Sequence, residues 1–191
     1  YHAYVSLGNK RVYSYLSKSI VTDALTNFTT NTKLAHNSFG NPTDITINRG
    51  NIETIKTTNV YGLKGAWLPN VVIQSTTTVT RHGAAPITRR VNYSYDSFGK
   101  VAQQINDLGD AKAVTTSHTY NSFGNRTKTI ISGSGGTRTV LHVYDSKGRY
   151  PVKTTNGLGQ HSFVTYDHKW GVPLTATGID GLVTRYAYNS F

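Results

Sequence analysis

The groups able to do acid–base chemistry in this chain are eight aspartates, one glutamate and seven histidines, spread over 191 positions. Asp107 and Asp110 bracket a glycine, and with Asp180 they are the carboxylates best suited by sequence to act as a general acid and base. A glycosidase would need two such groups facing each other across roughly 5 to 10 Å. Aspartates beside glycine have a simpler role as turn residues, because the short side chain accepts a hydrogen bond from a nearby backbone amide. The histidines, at 2, 36, 82, 118, 142, 161 and 168, include no His-x-x-x-His pair, and His161 and His168 merely flank Tyr166-Asp167. With no cysteine there is no thiolate metal site and no disulfide framework. No Gly-x-Ser-x-Gly elbow is present, and Gly133-Ser134-Gly135-Gly136 lacks the Lys-Thr of a phosphate loop. The expectation is therefore a chain with no catalytic residue, no cofactor and no metal.

Twenty Lys and Arg against nine Asp and Glu give a formal charge of +11, which raises anionic glycans, nucleic acid or an acidic protein as partners. The cations are mostly scattered singly, with only Lys10-Arg11 and Arg89-Arg90 adjacent, so a distributed excess on exposed strands explains them better than a nucleic-acid stripe. No apolar run reaches the roughly 20 residues of a membrane-spanning helix. Thirteen tyrosines among many threonines and valines favour strands, and eighteen glycines supply turns.

What must position these groups is a repeat. An aromatic residue followed by Asp or Asn, two variable residues and Gly recurs as His36-Asn37 to Gly40, Thr58-Asn59 to Gly62 with threonine in the aromatic place, Tyr95-Asp96 to Gly99, Tyr120-Asn121 to Gly124 and Tyr144-Asp145 to Gly148. Tyr166-Asp167 follows with its glycine one place late, at Gly171, and Tyr188-Asn189 opens one more copy. A degenerate copy at Tyr13 to Ser19 lacks both the carboxylate and the glycine. The spacings between successive Asp/Asn positions are 22, 37, 25, 24, 22 and 22, and the long one predicts a missing node or an inserted hairpin around Trp67 to Ile73 and Arg81 to Ile87.

Each repeat also carries a weaker central turn, as at Asn106 to Asp110, Ser132 to Gly136, Asn156 to Gln160 and Gly178 to Gly181. Between turns, five to eight residues alternate polar and apolar, the period of a strand with one covered face. In each node the Asp or Asn would accept a backbone amide two residues on, and the glycine would take the positive φ that closes a hairpin. Two strands per node predict an all-β fold of consecutive antiparallel hairpins, on the order of fourteen strands in one long curved sheet with little or no helix. Residues 1–33 read as a degenerate first repeat and residues 34–191 as the hairpin array, together a piece of a longer polypeptide.

Tyr95-Asp96-Ser97-Phe98-Gly99-Lys100-Val101 and Tyr144-Asp145-Ser146-Lys147-Gly148-Arg149 resemble the YD repeat, also called the RHS repeat, usually Tyr-Asp-x-x-Gly-Arg-Leu. The resemblance spans about Leu34 to Phe191. It implies a segment of the β-shell found in bacterial polymorphic toxins and in the B and C components of Tc-type insecticidal complexes, with a related barrel in teneurins. By that likeness the partners are the rest of the shell or another toxin-complex subunit, and an enclosed effector polypeptide, and the location is secreted or at a bacterial surface. Asn replaces Asp in four of the seven nodes, and the family's self-cleaving aspartate segment has no counterpart, so no catalytic residue is carried over. Two other readings stand beside this one. An extracellular module could bind carbohydrate through exposed tyrosines, Trp67 and Trp170, and a glycosidase could use the aspartates named above.

Overall fold

The computed structural model describes residues 2–6, 12–64, 68–107 and 109–189, and within them every regular element is a β-strand. The strands are β1 (His2–Ser6), β2 (Val12–Leu16), β3 (Lys18–Thr22), β4 (Thr29–His36), β5 (Pro42–Arg49), β6 (Glu53–Lys64), β7 (Leu68–Arg81) and β8 (Ile87–Tyr95). They continue with β9 (Val101–Asn106), β10 (Val114–Tyr120), β11 (Arg126–Gly133), β12 (Gly136–Tyr144), β13 (Pro151–Thr155), β14 (His161–Tyr166), β15 (Pro173–Thr177) and β16 (Val183–Arg185). β1 and β2 form a two-stranded sheet, and β3 to β16 form a fourteen-stranded sheet in which every strand lies beside its neighbours in sequence. Hairpin connections throughout follow from the short polar turns, since antiparallel neighbours need only a few residues between them.

The chain divides into two units, residues 1–100 with 105–110, and residues 101–104 with 111–191. In the first unit the register sorts side chains by chemistry. Thr32, Ile47, Ile55, Val79 and Ile87 are successive cross-strand partners from β4 to β8, and Leu34 faces Ile45 on the same side. The opposite side carries Asn31–Asn48–Thr54–Thr80 as one row and Lys18–Lys33–Thr46–Lys56–Thr78–Thr88 as the next. One face thus carries the aliphatic run among threonines such as Thr57 and Thr77, and the other is mostly hydroxyl, amide and lysine, with Ile20 opposite Asn31.

In the second unit the tyrosine parity is shared by Val140, His142 and Tyr144 on β12 and by Ser162, Val164 and Tyr166 on β14, and these are half-buried. Leu141, Val143, His161, Phe163 and Thr165 on the alternate parity are exposed. Coverage on one side of a single layer comes from the neighbouring side chains of that same side, spaced about 5 Å across strands.

Among the described residues none is buried, apolar or polar. The chain exposes 13235 Å². A globular protein of its 21.0 kDa exposes about 9,000 Å², and two separate globules of half that mass about 10,900 Å².

Candidate functional site

The repeated node is built as one device. At Asn37 the side-chain Oδ1 accepts the amides of Phe39 and Asn41, each at 3.0 Å, while Gly40 N–H donates to the Asn37 carbonyl at 3.0 Å. Asp96 accepts from Phe98 and Lys100 at 2.9 Å each, and Asn121 from Phe123 and Asn125 at 3.1 and 3.0 Å. Gly40, Gly99 and Gly124 have φ of 81°, 78° and 85°, the left-handed region that a glycine enters without a Cβ penalty. Asp145 accepts from Arg149 and Tyr150 at 2.6 and 3.2 Å, and Asp167 from Lys169 and Trp170 at 2.7 and 3.1 Å, closed by Gly148 and Gly171. The central turn at Asn156 repeats the pattern with Leu158 and Gln160, at 2.9 and 3.0 Å. A register shift of the β-bulge kind adjoins the node at His36, Tyr120, Tyr144 and Tyr166, and in each case the strand after the turn carries the one extra residue, Thr43, Thr127, Val152 or Leu174.

Asn59 and Gly62 do not belong to this set. Both lie inside β6, which runs on to Lys64 and pairs with β7 through two register shifts. Asn59 Nδ2 donates to the Pro42 carbonyl at 3.0 Å, and a Cβ at Gly62 would stand 2.8 Å from Ile73 Cγ2, so this glycine answers to close cross-strand approach. Lys64 and Leu68 are the last partners of the hairpin, which puts the connection at 65–67, outside the described residues. The long interval after Asn59 therefore reflects strands of 12 and 14 residues, not an inserted hairpin. Trp67 lies outside the described residues, as do Ser190 and Phe191, so the turn expected after Tyr188-Asn189 is likewise outside them.

Sequence reasoning missed what the node tyrosines do. Tyr95 Oη donates to the Val72 carbonyl at 2.7 Å, Tyr120 to Val101 at 2.9 Å, Tyr144 to Arg126 at 3.4 Å and Tyr188 to Pro173 at 2.7 Å. Tyr61 makes the same bond to Pro42 at 2.9 Å. Each of these phenols reaches the carbonyl at or near the start of the preceding strand, so these five tyrosines stitch their repeats to the one before. Tyr166 instead stacks on Tyr150, with centroids 4.8 Å apart. Burial raises the pKa of Tyr61 and Tyr95, as expected for a phenol held neutral against a carbonyl. The near-constant spacing of the tyrosines was the available signal.

The carboxylates lie in separate places. Asp23 accepts the Leu25 and Thr26 amides, and these bonds, Thr26 foremost, lower its pKa. Asp44 accepts from Thr58 Oγ1 at 3.0 Å, Asp107 pairs with Arg89 at 2.7 Å, and Asp180 accepts the Leu182 amide at 3.0 Å. Asp110 donates its amide to the Asp107 carbonyl, which closes that turn. Glu53 sits between Arg49 and Arg81 at 3.1 and 2.9 Å. Desolvation pushes Asp145 upward, but the amides of Arg149 and Tyr150 and the charges of Arg149 and His168 outweigh it and hold it low. No group of three metal-ligating side chains occurs among the described residues.

Two concavities lie in the second unit. One, of about 550 Å³, is lined by Tyr120, Asn125, Arg126, His142, Tyr144 and Thr154, and there His142 Nδ1 meets Thr154 Oγ1 at 3.1 Å. The other, of about 640 Å³, is lined by Trp170, Val172, Leu174, Tyr186 and Tyr188 with Asp167 at its border. Two turn aromatics are well exposed: Phe98 and Trp170 are 73% and 70% exposed, and each carries a lysine ammonium over its ring, from Lys100 and Lys169. No protein-family model and no curated protein matches the chain.

Proposed function

We propose that the chain is a non-catalytic wall segment of an RHS/YD-repeat shell, a β-layer that encloses a polypeptide effector for secretion or delivery at a bacterial surface. The observation that carries this reading is the single layer: fourteen strands in sequence order with no buried residue among those described. Ordering a backbone costs about 1–2 kcal/mol per residue, and half-covered side chains recover only part of that through burial. A sheet with an aliphatic row such as Ile47–Ile55–Val79–Ile87 gains the remainder when something covers that face. A wall closed over its contents is such a setting, and repeats stitched by tyrosines to their predecessors suit a strip extended by repetition. Its partners on this reading are the rest of the shell and the polypeptide inside.

The test is native isolation from the producing cell followed by protease challenge and mass spectrometry. The reading expects the chain within a larger polypeptide or assembly in which a second, unrelated polypeptide resists protease until the β-layer is cut. Recovery of the chain alone, with nothing protected, contradicts it. A second reading, stacking of a neutral sugar ring, is favoured by the Trp170, Tyr186 and Tyr188 cavity. Loss of oligosaccharide binding in Trp170→Ala would support it, and no binding by the unaltered chain would remove it.

A further inference from the structure

The two faces of the first unit treat charge differently. On the aliphatic face, Arg49 and Arg81 share Glu53, and Arg89 pairs with Asp107. On the other face, register places Lys18 directly opposite Lys33, Lys56 two strands further along the same row, and Arg90 on β8 in the adjoining row, opposite Thr76. Like charges directly opposite across a strand pair destabilise it, so this arrangement stands against the sheet's own interest. Among the described strand residues of that face the one carboxylate is Asp44, which accepts from Thr58 Oγ1. Lys33, Lys56 and Arg90 are exposed. Two strand spacings separate Lys33 from Lys56, about 9.6 Å.

Between and beside the cations stand Thr46, Thr54, Thr58, Thr76, Thr78 and Asn48, hydroxyl and amide groups of the kind that exchange hydrogen bonds with sugar hydroxyls. Among the described strand residues of this face from β3 to β8 none is aromatic, whereas Tyr93 and Tyr95 fall on the opposite parity of β8. Single-stranded nucleic acid is held by aromatic platforms that stack its bases, and the described strand residues of this face supply none. An anion carried on a hydroxyl-rich linear chain fits both the cation track and the threonine rows.

We propose that this face binds a linear anionic polysaccharide, whose carboxylates or sulfates lie on Lys33, Lys56 and Arg90 and whose hydroxyls meet the threonine and asparagine rows. The inference uses charge and register within the first unit and does not rest on the wall reading. The probes are immobilised heparin, which is sulfated, and polygalacturonate, which carries carboxylates only. The expected result is binding to at least one, weakening with salt, and about tenfold or more weaker in Lys33→Gln/Lys56→Gln/Arg90→Gln if each lost ion pair contributes as exposed pairs do. The control, Arg138→Gln/Lys147→Gln/Arg185→Gln, removes the same charge from exposed positions of the second unit and is expected to keep binding nearly intact. Both variants should retain the β circular dichroism of the parent chain. Binding to neither polysaccharide, an equal loss in both variants, or tighter binding to single-stranded or duplex DNA would overturn the proposal.

Discussion

Gly148 offers the sharpest test of the stacked-turn geometry, because two separate costs meet there and a second glycine isolates one of them. Gly148 has φ of +66°, and a Cβ built on it would lie 2.5 Å from Phe123 Cδ2 and 2.9 Å from Phe123 Cβ. Those are inner atoms of the neighbouring turn's aromatic, so relief needs Phe123 to leave its rotamer or the backbone to move. Gly159 has a similar φ of +79° with nothing within 4 Å of its added Cβ. Alanine at Gly159 should therefore cost only the left-handed strain, about 1 kcal/mol. Alanine at Gly148 should cost that strain plus about 0.5–1.5 kcal/mol or more for the displaced aromatic, a total of about 1.5–2.5 kcal/mol or more. Urea unfolding with matched m values gives the two numbers, and amide exchange at Asn125 and Arg149 localises them. In a Phe123→Ala background the excess at Gly148 should fall sharply, since only the contact with the Cβ of residue 123 remains. Equal losses at Gly148 and Gly159, or an excess undiminished by Phe123→Ala, would refute the turn-on-turn packing.

Asp96→Asn should change stability by less than about 0.5 kcal/mol, since Asn37 and Asn121 make the same pair of bonds, whereas Asp96→Ala should lose about 1 kcal/mol in chemical denaturation. A large loss with asparagine would show that the charge, not the turn, matters. Tyr95→Phe should cost about 0.5–1.5 kcal/mol through the orphaned Val72 carbonyl, and no measurable change would argue against the stitching role. His118 is held below its ordinary value near 6.5 first by burial and then by the charge of Arg126. The unfolded chain then binds more protons than the folded one as pH falls through about 6.5, so stability should decline there, and His118→Gln should flatten that decline in melting temperature against pH. An unchanged slope would exclude His118 as its source.

The hairpin order and most turns were legible in the sequence because Asp or Asn followed by glycine encodes a local backbone preference, and at Asn37, Asp96, Asn121, Asp145 and Asp167 nothing non-local competes with it. Asn59-Val60-Tyr61-Gly62 spells the same pattern but lies in a strand, because its partner β7 continues through Thr76 to Val71 and pairing carries β6 past the would-be turn. Gly62 is required by Ile73 across the ladder, a neighbour that no local reading can supply. The sorting of side chains onto two unlike faces was also hidden, since it depends on register: Lys18, Lys33 and Lys56 are unremarkable singles in sequence and become one row only when β3 to β6 are aligned. The tyrosine bonds reach back 15 to 23 residues, so they too emerge only once the strands are paired.

The measurement that bears most directly on the wall reading is face-selective labelling, for which the cysteine-free chain is well suited. Single cysteines at Ile55 and Thr54 place one thiol on each face of β6. Both should react with maleimide in the isolated chain, and in the assembly recovered from the producing cell the Ile55 position should be protected while Thr54 remains reactive. Equal reactivity of the two in that native assembly would mean that nothing covers the aliphatic face, which contradicts the account.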